Sequence, residues 1–166
     1  MNNIQYNIRA NPDSFPVAHS NWYPPVAVLE GGRLGGGNLM LLSVTSGTPY
    51  ACKEDNVILF LEEVGEEAYS LDRMFRQLEQ SGLIERAAAV LFGEFHRCTP
   101  TEKADGEFTV DEVIRQYARR WQKPAALGIP AGHGEDNLCL PLGAYCTVDV
   151  RSESVAITYG GSENDE

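Results

Sequence analysis

A chain of 166 residues with 43% apolar and 22% charged side chains has the size and composition of one soluble globular domain, able to bury roughly two thirds of the surface its unfolded form exposes. No apolar run approaches the roughly 18 residues needed to cross a bilayer, so no membrane partner is expected. The net charge of −11, with no basic cluster beyond Arg119-Arg120, opposes nucleic-acid binding, which needs cations to displace counterions from phosphates.

The first residues, Met1 to Tyr6, have neither the basic nor the apolar region of a secretory signal, and the expected compartment is the cytoplasm. Cys52, Cys98, Cys139 and Cys146 show no C-x-x-C spacing and read as reduced thiols. Residues 1–24 carry Pro12, Pro16 and Pro24 without a clear period, so they read as an extended arm or linker. Residues 25–160 read as the folded domain and 161–166 as a disordered tail.

Ala27-Val28-Leu29 is followed by a glycine-dense stretch, Gly31 to Asn38, that no strong strand precedes. Asn38 then suits the N-cap of a short apolar helix closed near Gly47, with Pro49 beyond. Val57 to Leu61 is a continuous apolar run typical of a buried strand. Tyr69, Leu71, Met74, Phe75 and Leu78 recur at helical spacing, Gly82 punctuates, and Ala87 to Phe92 forms a second buried run. Two such strands joined by a helix predict a parallel, right-handed crossover. Thr109 and Glu112 fit a capping box that opens a second helix with Val113, Ile114, Tyr117 and Trp121 on one face, stopped by Pro124. Two short strands, 144–150 and 155–159, complete the pattern. The fold class is α/β, a small mixed sheet flanked by about two main helices.

The first strand ends on a carboxylate, Glu62, and ligands and catalytic groups of open α/β sheets gather at the carboxyl ends of strands. His133 stands between Gly132 and Gly134, which permit a tight turn and close approach of another backbone. A glutamate that accepts an imidazole N–H and a histidine that takes a serine's proton are two members of a hydrolase triad. The third is missing from the pattern, because no Ser has Gly at both −2 and +2, as a nucleophile elbow requires.

Two other chemistries fit less well. Gly31 to Asn38 matches neither nucleotide-binding glycine motif. His96, Cys98, His133, Glu135 and Cys139 match no closed Cys/His zinc spacing, and a loop histidine and buried thiols are the plainer reading. No metal and no cofactor is expected. Arg73, at helical spacing from Tyr69 and Gln77, reads as a surface or interface ion-pair residue rather than a substrate clamp.

The order of several motifs resembles the C-terminal domain of the serine LD-carboxypeptidases, which include the muramoyltetrapeptide carboxypeptidases and the microcin C immunity peptidases. The residues that carry the resemblance are Gly36-Gly37-Asn38-Leu39, Gly47-Thr48-Pro49-Tyr50, Ile58 to Glu66, Tyr69 with Leu71-Asp72-Arg73-Met74 and Gln77-Leu78, Gly93-Glu94-Phe95, Gly128 to Gly134, Asn137-Leu138, and Leu140 to Gly143. The resemblance covers roughly residues 23–159 and implies a swivelling β/β/α architecture. It also implies that Glu62 and His133 are the triad glutamate and histidine. The second acidic position, usually Asp in the family, is Glu63 here.

In that family the nucleophilic serine and the oxyanion-hole donors belong to an N-terminal domain. The resemblance therefore implies a partner, either that domain or a separate subunit, and a chain inactive by itself. The implied reaction is hydrolysis of the amide before the terminal D-residue of a peptidoglycan tetrapeptide, in peptidoglycan recycling, with a peptide as substrate. A homo-oligomer, such as a dimer, is also expected. The alternative is a non-enzymatic binding or regulatory module that keeps the fold.

Overall fold

The computed structural model describes residues 4–9, 27–100, 109–150 and 154–159. Its strands are β1 (Ile4–Arg9), β2 (Ala27–Asn38), β3 (Val57–Val64), β4 (Ala87–His96), β5 (Ala125–Leu127), β6 (Tyr145–Val150) and β7 (Ser154–Tyr159). The helices are α1 (Leu39–Thr45), α2 (Ala68–Gln80), α3 (Leu83–Arg86) and α4 (Val110–Trp121). Among the described residues the strands form one mixed sheet in the order β1-β7-β6-β2-β3-β4-β5. The β2, β3, β4 and β5 pairs are parallel, whereas β6, β7 and β1 join antiparallel beyond β2.

The continuous apolar run of β3 has a simple cause, since both faces of this strand are covered. Val57, Leu59 and Leu61 point into a core shared with Leu71, Phe75 and Leu78 of α2 and with Ile114, Tyr117 and Trp121 of α4. Ile58 and Phe60 point the other way, against Leu91, Ile129, Val148 and Ile157. Strand residues alternate between faces, so the next pair, Glu62 and Glu63, inherits this split.

The helical side is built around Phe75, whose ring lies 5.2 Å from Tyr117 and 5.5 Å from Trp121, the latter edge-to-face. α4 starts at the expected capping box: the Thr109 hydroxyl accepts the Glu112 N–H at 3.2 Å, and the Glu112 carboxylate accepts the Thr109 N–H at 2.8 Å. Gly82, in the left-handed region, ends the turn after α2.

Three expectations change. The glycine-dense stretch Gly31–Asn38, read as following no strong strand, is itself part of β2, and its Gly32, Gly35 and Gly36 pack closely on Ile58, Val57 and Phe60 of β3. At Gly36, with φ of +116°, a Cβ would lie 2.0 Å from the Phe60 carbonyl oxygen. Low strand propensity is overridden here by tertiary pairing on both sides. The sheet is also larger than expected, because β5 has only three residues and β1 lies in the region read as an arm. Ile4, Tyr6 and Ile8 alternate with Gln5, Asn7 and Arg9, the period of the strand that pairs with β7. The rest of the expected arm, residues 10–24, and the expected tail at 161–166 lie outside the described residues.

Candidate active site

The carboxyl ends of the parallel strands deliver Asn38, Glu62, Glu63 and Glu94 to one edge of the sheet. Glu62 is the last residue of β3 in register with β2, opposite Asn38. Its neighbour across the edge comes from the segment after β5, which continues alongside β4: Ile129 N–H donates to the Phe92 carbonyl at 3.0 Å, and Glu94 N–H donates to the Ala131 carbonyl at 3.0 Å. The chain then turns through Gly132, whose N–H is held by Asn137 Oδ1 at 3.2 Å, and presents His133.

His133 Nδ1 lies 2.7 Å from Glu62 Oε2. Gly132 makes this approach possible. Its φ is +127°, and a Cβ there would stand 2.9 Å from that same Glu62 oxygen. The two partners differ sharply in exposure, with 6% of the Glu62 side chain accessible against 52% of His133. The carboxylate is thus a fixed, desolvated acceptor, while the ring reaches into solvent. A carboxylate can only accept, so the proton of the contact belongs to Nδ1. Nε2 is left without a hydrogen-bond partner among the described residues. The hydrogen bond to Glu62 and then its charge raise the His133 pKa above the ordinary imidazole value, with a smaller contribution from the charge of Glu63; desolvation opposes them.

Glu63 faces the helical side and does different work. It is 3% exposed, and its carboxylate accepts the Met40 N–H and an Asn38 Nδ2–H, each at 2.8 Å. Asn38 in turn caps α1, its Oδ1 accepting the Leu41 N–H at 3.1 Å. The N-cap reading of Asn38 thus matches the geometry, whereas nothing in the sequence assigned these contacts to Glu63 or Asn137. Their partners lie across strand and loop boundaries that no local pattern marks.

No serine hydroxyl hydrogen-bonds His133 among the described residues. Ser43 and Ser46 instead donate to the α1 carbonyls of Met40 and Leu42. Nor do three His, Cys, Asp or Glu side chains cluster as metal ligands among the described residues. The four cysteines are free, and burial pushes the Cys146 thiol up to about 11. Arg73 departs from the ion-pair expectation. Its guanidinium stacks 4.6 Å from the centre of the Tyr69 ring, one helical turn away, which offers a cation a π-face in place of a carboxylate.

The sequence pattern described as LD-carboxypeptidase C-terminal domain matches residues 31–148. A Bacillus subtilis (strain 168) protein named probable murein peptide carboxypeptidase is 35% identical over 132 residues, which are 80% of this chain and 41% of that protein. Murein tetrapeptide carboxypeptidase of Pseudomonas aeruginosa is 34% identical, with 71% of this chain and 38% of that protein covered. In fold, the crystal structure of muramoyltetrapeptide carboxypeptidase from Oxalobacter formigenes superposes with a TM-score of 0.78 at 24% identity, over 96% of this chain and 50% of that one. The chain spans about two fifths of the length of these two curated relatives. By the pattern it matches and the identity it shares, the chain belongs to the LD-carboxypeptidase C-terminal domain family.

Proposed function

We propose that this chain is the histidine- and glutamate-bearing half of an LD-carboxypeptidase-like serine peptidase that removes the terminal D-amino acid from a murein tetrapeptide. The observation that carries this reading is the 2.7 Å contact between a buried Glu62 carboxylate and an exposed His133 ring. Nε2 faces a serine supplied from outside residues 1–166 and takes its proton as the hydroxyl attacks the scissile carbonyl. It then returns the proton to the leaving amine. Glu62 holds the ring in the Nδ1–H tautomer and stabilises the imidazolium formed in between. The names of the relatives, two of them murein peptidases, support the substrate class.

The nucleophile-bearing part docks near α1 in this reading. That helix starts beside Glu62 and exposes Met40, Leu41 and Val44, the last two 58% and 60% accessible. Adjacent exposed apolar side chains of this kind suit a protein contact.

The test combines this chain with the part of the Bacillus subtilis relative that it does not cover and measures release of the terminal D-amino acid from murein tetrapeptide. Turnover is expected only with both halves and is lost in His133→Ala. Robust turnover by the pure chain alone, abolished by a serine-directed inhibitor, would contradict the reading and require an internal nucleophile such as Ser43 or Ser46.

A further inference from the structure

We propose that Glu63 is a positioning residue for the Glu62–His133 hydrogen bond, acting by fastening the end of β3 to the junction of β2 and α1. Its importance for rate rests on the catalytic reading of that pair, whereas its effect on the geometry does not.

The reason lies in how Glu62 is held. On the β2 side its pairing with Asn38 is the final rung of the ladder. On the β4 side the register slips between Leu61 and Glu63, so Glu62 stands at a break in regular pairing. Past the bulge only the β4 side still pairs, Glu63 opposite Phe95 and Val64 opposite His96, so on its β2 side the end of β3 has no rung beyond Asn38. Strand ends with few pairing partners fray readily, and the 2.7 Å contact tolerates little displacement of the carboxylate.

Glu63 supplies the missing restraint. Its buried carboxylate accepts from Asn38 Nδ2–H, on the residue of that last rung, from Met40 N–H two positions beyond it, and from its own neighbour Val64 N–H at 2.9 Å. Hydrogen bonds to an ionised acceptor are roughly twice as strong as neutral ones. Asn38 closes the arrangement, because its other amide atom is committed to capping α1. Alternation directs Glu63 away from His133, so the influence passes through the β3 backbone rather than by contact.

Charge is the competing explanation, since Glu63 also raises the His133 pKa through its field. Glu63→Gln removes clamp and charge together. Asn38→Ala removes one strand of the clamp and leaves the charge in place. The experiment follows the His133 ring protons by NMR through a pH titration of the 166-residue chain, comparing the unmodified protein, Glu62→Gln, Glu63→Gln, Asn38→Ala and the Asn38/Glu63 double variant.

The unmodified chain is expected to titrate above about 6.5, and Glu62→Gln to return the ring to about that value. Glu63→Gln and Asn38→Ala should each lower the midpoint by roughly half a pH unit, and the double variant by less than the sum, as two ends of one clamp require. A midpoint unchanged in Asn38→Ala would overturn the proposal and leave Glu63 a field effect or a helix cap. So would an ordinary midpoint in the unmodified chain. If Glu63→Gln does not fold, Asn38→Ala alone still decides. Failure of the catalytic reading would appear instead as absent turnover in the recombined enzyme, with this titration unaffected.

Discussion

Glu62 and His133 are 71 positions apart in the chain and 2.7 Å apart in the fold. Two separate devices bring them together: the parallel β3 strand, which carries the carboxylate to the sheet edge, and a turn at Gly132 pinned by Asn137, which aims the ring back at it. The asymmetry of the pair, one partner buried and the other half exposed, suits a base that must meet a group from elsewhere.

The pair links stability to pH in a defined direction. Glu62 raises the folded-state pKa of His133, so the stabilisation is fully present below the unfolded value of about 6.5 and is lost as pH rises through the folded value. Denaturant titrations from about pH 5 to 9 should show this decline in the unmodified chain and lose it in Glu62→Gln. In the recombined enzyme the acid limb of kcat/KM should sit above about 6.5, because only the neutral ring accepts a proton. Identical stability profiles for the two proteins would show that the contact does not persist in solution.

Gly132→Ala should damage both stability and site. The backbone is in a conformation that side chains rarely adopt, and the new methyl would meet Glu62 Oε2 at 2.9 Å. A cost of about 1–3 kcal/mol is expected, together with a His133 titration shifted toward the ordinary value. Thermal melting and the NMR midpoint check the two parts, and an unchanged midpoint would mean that the loop re-forms the contact without glycine.

Thiol chemistry should separate the cysteines by burial. Cys139 is exposed, whereas Cys146 is buried with its pKa pushed up to about 11, so an alkylating reagent near pH 8 should modify Cys139 first and Cys146 only on unfolding. Peptide mass mapping gives the order. Early modification of Cys146 would show that the sheet opens around β6 in the folded state.

Legibility of the sequence followed the range of the interactions. β3, α2, β4 and α4 were readable because burial on both faces of a strand leaves a continuous apolar run, and a capping box is spelled out within four residues. The Gly31–Asn38 part of β2 was hidden because Gly32, Gly35 and Gly36 serve a close approach to Ile58, Val57 and Phe60, a demand set by a strand more than twenty positions away. β5 is too short to show a period, and β1 exists through pairing with β7 at the other end of the chain. At the site, Glu62 and His133 were marked by position and flanking glycines, and the structure places them in contact. Glu63 was not, because its work depends on which face of β3 it occupies and on donors at Asn38 and Met40.

The most direct test of the catalytic role given to this pair is steady-state kinetics of Glu62→Gln beside His133→Ala in the recombined two-half enzyme. The amide keeps the shape of Glu62 but loses the charge that stabilises the imidazolium, and its NH₂ favours the wrong tautomer. A fall in kcat approaching the roughly 10⁴-fold loss seen for the equivalent change in serine-protease triads is expected, with little change in KM. A loss below about tenfold, with His133→Ala still severe, would contradict it and show that another group orients the histidine.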